Sequence, residues 1–72
     1  MKIIDNLKDG HKILKGSNIL SYKIDCEILM SQTLNISREE FLLNLEKEIK
    51  KEEREKYFSL INRRKKNEPI AY

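Results

Sequence analysis

Residues 37–43 read SREEFLL and carry the clearest local structural signal in this chain. A serine stands three residues before a glutamate, which is the pattern of a capping box: the side chains of Ser37 and Glu40 can each accept a hydrogen bond from a backbone N–H of the other residue. Ile36, directly before the cap, is placed to pack against the first turn as a hydrophobic staple. A helix is therefore predicted to begin at Arg38.

A first helix is predicted upstream, over residues 3–15, because apolar residues recur there at helical spacing. Gly10 lies inside this segment and weakens it by about 1 kcal/mol relative to alanine. Gly16 is placed to end it, just after a basic last turn. The predicted core residues of this helix are Ile3, Leu7 and Leu14.

A second helix is predicted over residues 21–34, with Ser21 as its N-cap. Asn35 stands where this helix should stop, and asparagine tolerates the left-handed conformation that a helix end often needs. The predicted buried side of the helix consists of Ile24, Ile28, Leu29 and Leu34.

Residues 46–56 are all charged except Ile49, with five acidic and five basic side chains. Such a run indicates a solvated helix face or an exposed connection more strongly than a binding site. A last helix follows, and four consecutive cations at 63–66 close it, where positive charge suits the negative end of the helix dipole. Its predicted core side is Tyr57, Phe58, Leu60 and Ile61.

These segments together predict an all-α fold, a small bundle of four to five helices over residues 1–68 that ends in an extended linker segment at 69–72. The extended end is expected because the residue before Pro69 avoids the α region. Seventy-two residues allow one small domain. No apolar run approaches the roughly 18 residues of a membrane span. The first residues show no signal peptide, so a cytoplasmic location is expected.

The chain contains no catalytic constellation that spacing can support. His11 is the single histidine, and nothing around it resembles a triad. One cysteine cannot form an internal disulfide, nor, with one histidine, a cysteine-based zinc site. Cys26 is interpreted as a small core residue, because its neighbours Asp25 and Glu27 would raise the pKa of a thiol. No catalytic, cofactor-binding or metal-binding residue is predicted.

Residues 26–45 also fit a helix-turn-helix, so a stand-alone DNA-binding regulator is the alternative function. The recognition helix of such a motif approaches base edges with its N-terminal residues, which here would be Glu39 and Glu40. Phosphates would repel both carboxylates. The net charge of +3 hints at nucleic acid. The excess, however, is one cluster within 57–72, so direct DNA binding is not expected.

Three stretches carry a resemblance to a known family. IDCEIL at 24–29 looks like Leu-Asp-Ala-Glu-Leu-Leu, LNISR at 34–38 like Leu-Gly-Ile-Ser-Arg, and the end of the chain at 60–72 like Arg-Arg-x-x-Gly-Glu-Pro-hydrophobic-Ala-Tyr. These patterns are typical of the N-terminal helical domain of the HemK/PrmC methyltransferases, which modify the glutamine of peptide-chain release factors. Asn35 and Asn67 replace family glycines, and both can adopt the left-handed cap.

The resemblance implies one domain of a longer enzyme. Such a domain would help to hold the release factor while the Gly-Gly-Gln loop enters the catalytic domain. The family's methyl transfer looks to depend on a Gly-rich loop and an Asn-Pro-Pro-Tyr motif that do not occur in these 72 residues. S-adenosylmethionine and methyl transfer are therefore expected of the parent enzyme and not of this fragment.

Two protein partners follow from the resemblance, the release factor and the enzyme's own C-terminal methyltransferase domain. The exposed face of the last helix is the predicted contact surface, and the sequence does not indicate which of the two partners it contacts. Asp25, Glu27 and Arg38 are interpreted as structural, capping or pairing within the bundle. The predicted contact residues are Arg63, Arg64, Lys65, Lys66 and Glu68.

Overall fold

Four helices make up the described part of the chain, residues 1–66, in the computed structural model. The helices are α1 (Ile3–Gly16), α2 (Tyr22–Leu34), α3 (Arg38–Leu43) and α4 (Lys51–Lys65). Helices α1, α2 and α4 pack against one another, and the short α3 packs on α2. The predicted all-α fold is confirmed. The predicted linker at 69–72, with Asn67 and Glu68 before it, lies outside the described residues.

One hydrophobic core joins the helices. The core faces predicted for α1 and α4 are confirmed: Tyr57 and Ile61 are fully buried, while Phe58 and Leu60 pack half-buried against the cluster. Helices α1, α2 and α4 therefore each bury an apolar stripe on one side, and α3 buries Phe41. The buried hydrophobic residues are Ile3, Leu7, Leu14, Ile19, Cys26, Leu29, Met30, Phe41, Ile49, Tyr57 and Ile61.

The side of α2 that faces the core overlaps the predicted one only in part. Cys26, Leu29 and Met30 are buried, whereas Ile24 is 53% exposed. The prediction of Ile24 as a core residue is wrong, because α2 carries apolar residues on more than one side and the side with the small Cys26 is the one packed inward. Of the other predicted residues, Leu29 is buried, and Ile28 and Leu34 are half-buried.

The predicted start of α3 is confirmed by its cap. The Ser37 hydroxyl accepts a hydrogen bond from the backbone N–H of Glu40 at 3.1 Å. Ile36 is half-buried against the core, as expected of a staple. Asn35 ends α2 in the left-handed conformation, with φ 55° and ψ 47°. Ser21 differs from its prediction, since its hydroxyl donates to the Asp25 carboxylate at 2.9 Å instead of capping the backbone of α2.

The first residues of the chain clamp the connection between α3 and α4. Lys2 and Glu48 form an antiparallel bridge. The backbone N–H of Ile3 donates to the carbonyl of Lys47 at 2.8 Å, and that of Ile49 donates to the carbonyl of Met1 at 3.1 Å. The clamp seats Ile49 in the core. The charged run thus supplies both predicted features, an exposed connection and the first turns of α4.

Gly10 marks the closest approach of three helices. A Cβ at this position of α1 would overlap the hydroxyl oxygen of Tyr57 in α4 and lie 3.1 Å from the sulfur of Cys26 in α2. The glycine weakens α1 locally, but its missing side chain is what allows α2 and α4 to pack this close. At Gly16 a Cβ would meet nothing within 4 Å.

No helix in residues 1–66 is both long enough and apolar enough to cross a membrane.

Candidate partner-binding groove

An open groove of about 940 Å³ runs between α1 and α4. Ile13 and Phe58, both half-buried, supply its apolar surface. Four cations and two carboxylates surround it, so its local charge is positive. We name this feature the basic groove, and its lining residues are Asp9, Lys12, Ile13, Arg54, Glu55, Phe58, Ser59, Asn62, Arg63 and Lys66.

Arg54 is held in place within the basic groove by two neighbours. Its Nε donates to the amide oxygen of Asn6 at 3.0 Å, and its guanidinium carbon lies 5.2 Å from the centroid of the Phe58 ring. Asn6 is fully buried and its own amide nitrogen donates to the carbonyl of Lys2 at 2.9 Å. A positively charged group is thereby fixed above an aromatic face, a favourable cation–π arrangement.

The predicted contact cluster at 63–66 is divided by the structure. Arg63 and Lys66 line the basic groove, and Lys65 is exposed in the last turn of α4 outside the groove lining. Arg64 turns to the other side, where its Nε donates to the carboxylate of Asp25 at 2.9 Å. Glu68 lies outside the described residues. Of the five predicted contact residues, Arg63 and Lys66 therefore meet at one surface, whereas Arg64 forms an ion pair within the domain.

Two ion pairs tie the helices together as the sequence led us to expect of Asp25, Glu27 and Arg38. Asp25 is buried and joins the start of α2 to the last turn of α4 through Arg64. Arg38 contacts Glu27 at 2.7 Å and joins α3 to α2 across a more exposed surface. The structural interpretation of these three residues is confirmed.

Sequence reasoning missed two of the four cations of the basic groove, Lys12 and Arg54. Arg54 lies in the run of alternating charges, where neighbours of opposite sign made it look like part of a solvated face. The signal that could have found it is its spacing of four residues from Phe58, which puts both side chains on one face of α4. Lys12 and Asp9 are three positions apart on α1, so their side chains likewise lie on one side of that helix.

Cys26 and His11, the two side chains considered as catalytic candidates, both have packing roles in the structure. Cys26 is fully buried, as predicted, and burial raises the pKa of its thiol to about 11, with a smaller contribution from its acidic neighbours. The ring of His11 packs edge-on to Tyr22 with centroids 5.7 Å apart, and burial lowers the pKa of its imidazole. A thiol that keeps its proton at neutral pH is a poor nucleophile.

Binding is the chemistry that this arrangement supports. The basic groove presents four cations around the apolar surface of Ile13 and Phe58, which suits a protein segment with an apolar anchor and carboxylates beside it. Among residues 1–66 no group of three or more His, Cys, Asp or Glu side chains converges to hold a metal ion.

Comparison with known proteins places the chain in a family. The PrmC N-terminal domain family matches residues 5–72. The chain is 43% identical to a release factor glutamine methyltransferase of Clostridium botulinum and 40% identical to one of Clostridium acetobutylicum, over 100% of the chain and 25% of each relative.

A third relative of the same name, from Leptospira interrogans, is 36% identical over 97% of the chain and 24% of the relative. None of the solved structures matches. The chain spans about a quarter of the length of these relatives. With a family match from residue 5 to residue 72, the chain belongs to the PrmC N-terminal domain family.

Proposed function

We propose that this chain is the substrate-recognition and positioning domain of a protein-(glutamine-N5) methyltransferase, which acts in the cytoplasm on the Gly-Gly-Gln motif of class 1 release factors. The observation that carries the proposal is the family match over residues 5–72, with relatives that are named release factor glutamine methyltransferases. The helical bundle contributes affinity for the protein substrate, and the remainder of the enzyme contributes the chemistry.

The basic groove is the surface that we assign to the release factor. Contacts made far from the reacting atoms can be used to orient the glutamine amide toward the methyl donor, and correct orientation is worth several kcal/mol of a reaction barrier. The groove owes its positive charge to cations at four points of its lining: Lys12, Arg54, Arg63 and Lys66. Such points steer an acidic partner surface and set its direction of approach.

The methyl donor S-adenosylmethionine is assigned to the part of the enzyme that this chain does not contain. A nucleotide cofactor commonly needs glycines in a loop, where the backbone can approach a phosphate or ribose closely. Both glycines of this chain lie in helix α1 instead, Gly10 against Tyr57 and Gly16 at the helix end. This placement of the glycines supports the assignment of the cofactor to another part of the enzyme.

Titration of the 72-residue chain into a purified class 1 release factor tests this function. We expect binding that weakens at least about tenfold when Lys12 and Lys66 are both replaced by glutamate, because two attractive charge contacts become repulsive. The matched control is Lys8→Glu with Lys51→Glu, which changes the net charge equally and also alters exposed residues of α1 and α4, outside the basic groove.

Duplex DNA is the competing ligand in the same titration. Strong DNA binding that falls steeply with salt, with no signal for the release factor, would support the alternative of a DNA-binding regulator and contradict the proposal. Equal loss of release-factor binding in the groove variant and the control would remove the basic groove as the contact surface.

A further inference from the structure

Arg54 is an exposed cation whose orientation is set by a fully buried partner. Its Nε donates to the amide oxygen of Asn6 at 3.0 Å, and the amide nitrogen of Asn6 donates to the carbonyl of Lys2 at 2.9 Å. A buried amide that loses its hydrogen bonds is costly, so the Asn6 side chain cannot rotate freely. The guanidinium of Arg54 is therefore held in one orientation at the surface of the domain.

The bond to Asn6 uses one of the five N–H donors of this guanidinium. Within residues 1–66, the other four donors, on Nη1 and Nη2, have no hydrogen-bond or ion-pair partner, although Asp9 and Glu55 also line the basic groove. Two parallel N–H groups of a guanidinium match the two oxygens of a carboxylate. We name this outer edge of Nη1 and Nη2 the Arg54 fork.

An apolar surface and a second cation follow the Arg54 fork along α4. The guanidinium carbon of Arg54 lies 5.2 Å from the centroid of the Phe58 ring, and Ile13 of α1 lines the same groove. Lys66, directly after α4, also lines the groove. At 1.5 Å per residue, Phe58 lies about 6 Å and Lys66 about 18 Å beyond Arg54 along the helix axis.

An extended peptide segment has the dimensions to meet these three points. Alternate residues of a strand point to the same side, and successive residues are about 3.3 Å apart. An acidic residue, an apolar residue two positions later and a second acidic residue four positions after that would share one side over about 20 Å. The flexible side chain of Lys66 can take up the small difference from the spacing along α4.

A nucleic acid fits the basic groove less well. Its phosphates repeat along the strand, and the carboxylates of Asp9 and Glu55 in the lining would repel them. Base stacking needs an open aromatic face. The ring of Phe58 is already in contact with the Arg54 guanidinium and, edge-on, with the ring of Tyr57 at 5.1 Å between centroids. A protein segment with two separated carboxylates can place each of them beside a cation.

We propose that Arg54 determines the specificity of the basic groove: it binds the carboxylate of an Asp or Glu in an extended segment of the release factor. An apolar side chain of the same segment packs on Phe58 and Ile13. The proposal rests on the function proposed above and names the partner chemistry of the same groove. Asn6 is a positioning residue, because it holds Arg54 without contacting the partner. The lysines of the groove attract the acidic segment at longer range.

Titration of the 72-residue chain into a class 1 release factor measures the contribution of the Arg54 fork. Arg54→Lys keeps the charge and removes the fork, so it should weaken binding at least about tenfold. Arg38→Lys is the matched control, the same substitution at an exposed arginine of α3 outside the basic groove, and should leave the affinity unchanged. Circular dichroism checks that both variants are folded at the assay temperature.

A double variant separates positioning from a merely structural role of Asn6. Asn6→Ala should speed the exchange of the Arg54 Nε–H with solvent, because its acceptor is lost. It should weaken release-factor binding in the unmodified chain and add nothing to the effect of Arg54→Lys. A loss that simply adds to that of Arg54→Lys would show that Asn6 does not act through Arg54.

A peptide titration tests the same site without a release factor. The probe is acetyl-Asp-Ala-Leu-Ala-Ala-Ala-Asp-amide, and the control peptide has Asn in place of both Asp residues. The acidic peptide at millimolar concentration should shift the Nε–H and Nη–H resonances of Arg54 in the isotope-labelled chain and slow rotation about its Cζ–Nη bonds, because both Nη groups hold one carboxylate. The control peptide should leave these resonances in place.

Three results would overturn the proposal. These are release-factor binding that Arg54→Lys does not weaken, Arg54 resonances that respond to neither the acidic peptide nor the release factor, and an equal response to inorganic phosphate at the same concentration, which would assign the Arg54 fork to phosphate groups. A chain that binds the acidic peptide through Arg54 but does not bind the release factor would support the carboxylate receptor and overturn the proposed function. The two failures are therefore distinguishable.

Discussion

Replacement of Gly10 by alanine should destabilise the domain, although it should favour the helix in isolation. Alanine gains about 1 kcal/mol over glycine inside a helix. In the folded domain, however, its Cβ would overlap the Tyr57 hydroxyl and stand 3.1 Å from the Cys26 sulfur. Tyr57 and Cys26 are both fully buried, so neither can move into solvent.

The size of the effect follows from those two opposing terms. Overpacking a tight core costs typically 1–3 kcal/mol, and the overlap at Gly10 belongs near or beyond the upper end of that range. After subtraction of the gain in helix propensity, we expect a net loss of about 2 kcal/mol in the free energy of unfolding. For a domain of this size the midpoint temperature would fall by roughly 10 °C.

Urea unfolding followed by far-ultraviolet circular dichroism measures this loss, with Gly16→Ala as the matched control. Gly16 is in the same helix and a Cβ there meets nothing within 4 Å, so this change should be neutral or slightly stabilising. Tyr57→Phe removes the hydroxyl oxygen and should restore part of the stability of Gly10→Ala. If Gly10→Ala proved as stable as Gly16→Ala, the close approach of α1, α2 and α4 would be refuted.

Three further predictions concern single side chains. Burial raises the pKa of the Cys26 thiol from 9.0 to about 11; the unfolded thiol ionises first, so the free energy of unfolding is intact below pH 9 and falls by about 3 kcal/mol as the pH rises through 11. Urea unfolding at several pH values should show that loss, and Cys26→Ala should reduce it, leaving the loss above about pH 10 that comes from Tyr57, whose phenol pKa burial also raises. Asp25→Asn should cost about 2 kcal/mol, since it breaks a buried pair with Arg64; Glu27→Gln, at a more exposed pair, should cost less than about 1 kcal/mol by the same measurement. Ser37→Ala should cost about 1 kcal/mol in chemical unfolding, and an unchanged midpoint would show that the cap of α3 contributes nothing.

Local signals predicted the helices well because their causes are local. The Ser37 cap and the left-handed Asn35 involve residues within one turn of each other, so both helix ends can be recognised from adjacent residues in the sequence. The apolar spacing of α1 has the same character, since one face of that helix is clearly more apolar than the other. Helix boundaries and the all-α class follow from such patterns.

Choices that depend on the packing of distant segments could not be predicted in the same way. Helix α2 offers two apolar sides, and only its neighbours α1 and α4 decide that Cys26 faces inward and Ile24 outward. The sequence around Gly10 does not indicate that Tyr57, 47 positions later, occupies the space that a side chain at position 10 would fill.

The candidate site was predicted only in part for the same reason. The cations at 63–66 stand out as a block in the sequence, but helical geometry spreads four consecutive residues around the axis. Arg64 therefore faces Asp25 while Arg63 and Lys66 reach the basic groove. Three more lining residues, Asp9, Lys12 and Ile13, come from α1, which no local pattern connects with α4.

The clamp between the first residues and the connection before α4 has a consequence for the order of folding. Its contacts join residues as far as 48 positions apart, as in the backbone hydrogen bond from Ile49 to Met1. Closing so long a loop is entropically costly, and contacts of high sequence separation slow a folding reaction. The α2–α3 hairpin needs no such closure. We expect the α2–α3 hairpin to form early and the first residues of the chain to dock late. These residues are then the last part of the domain to reach the native structure.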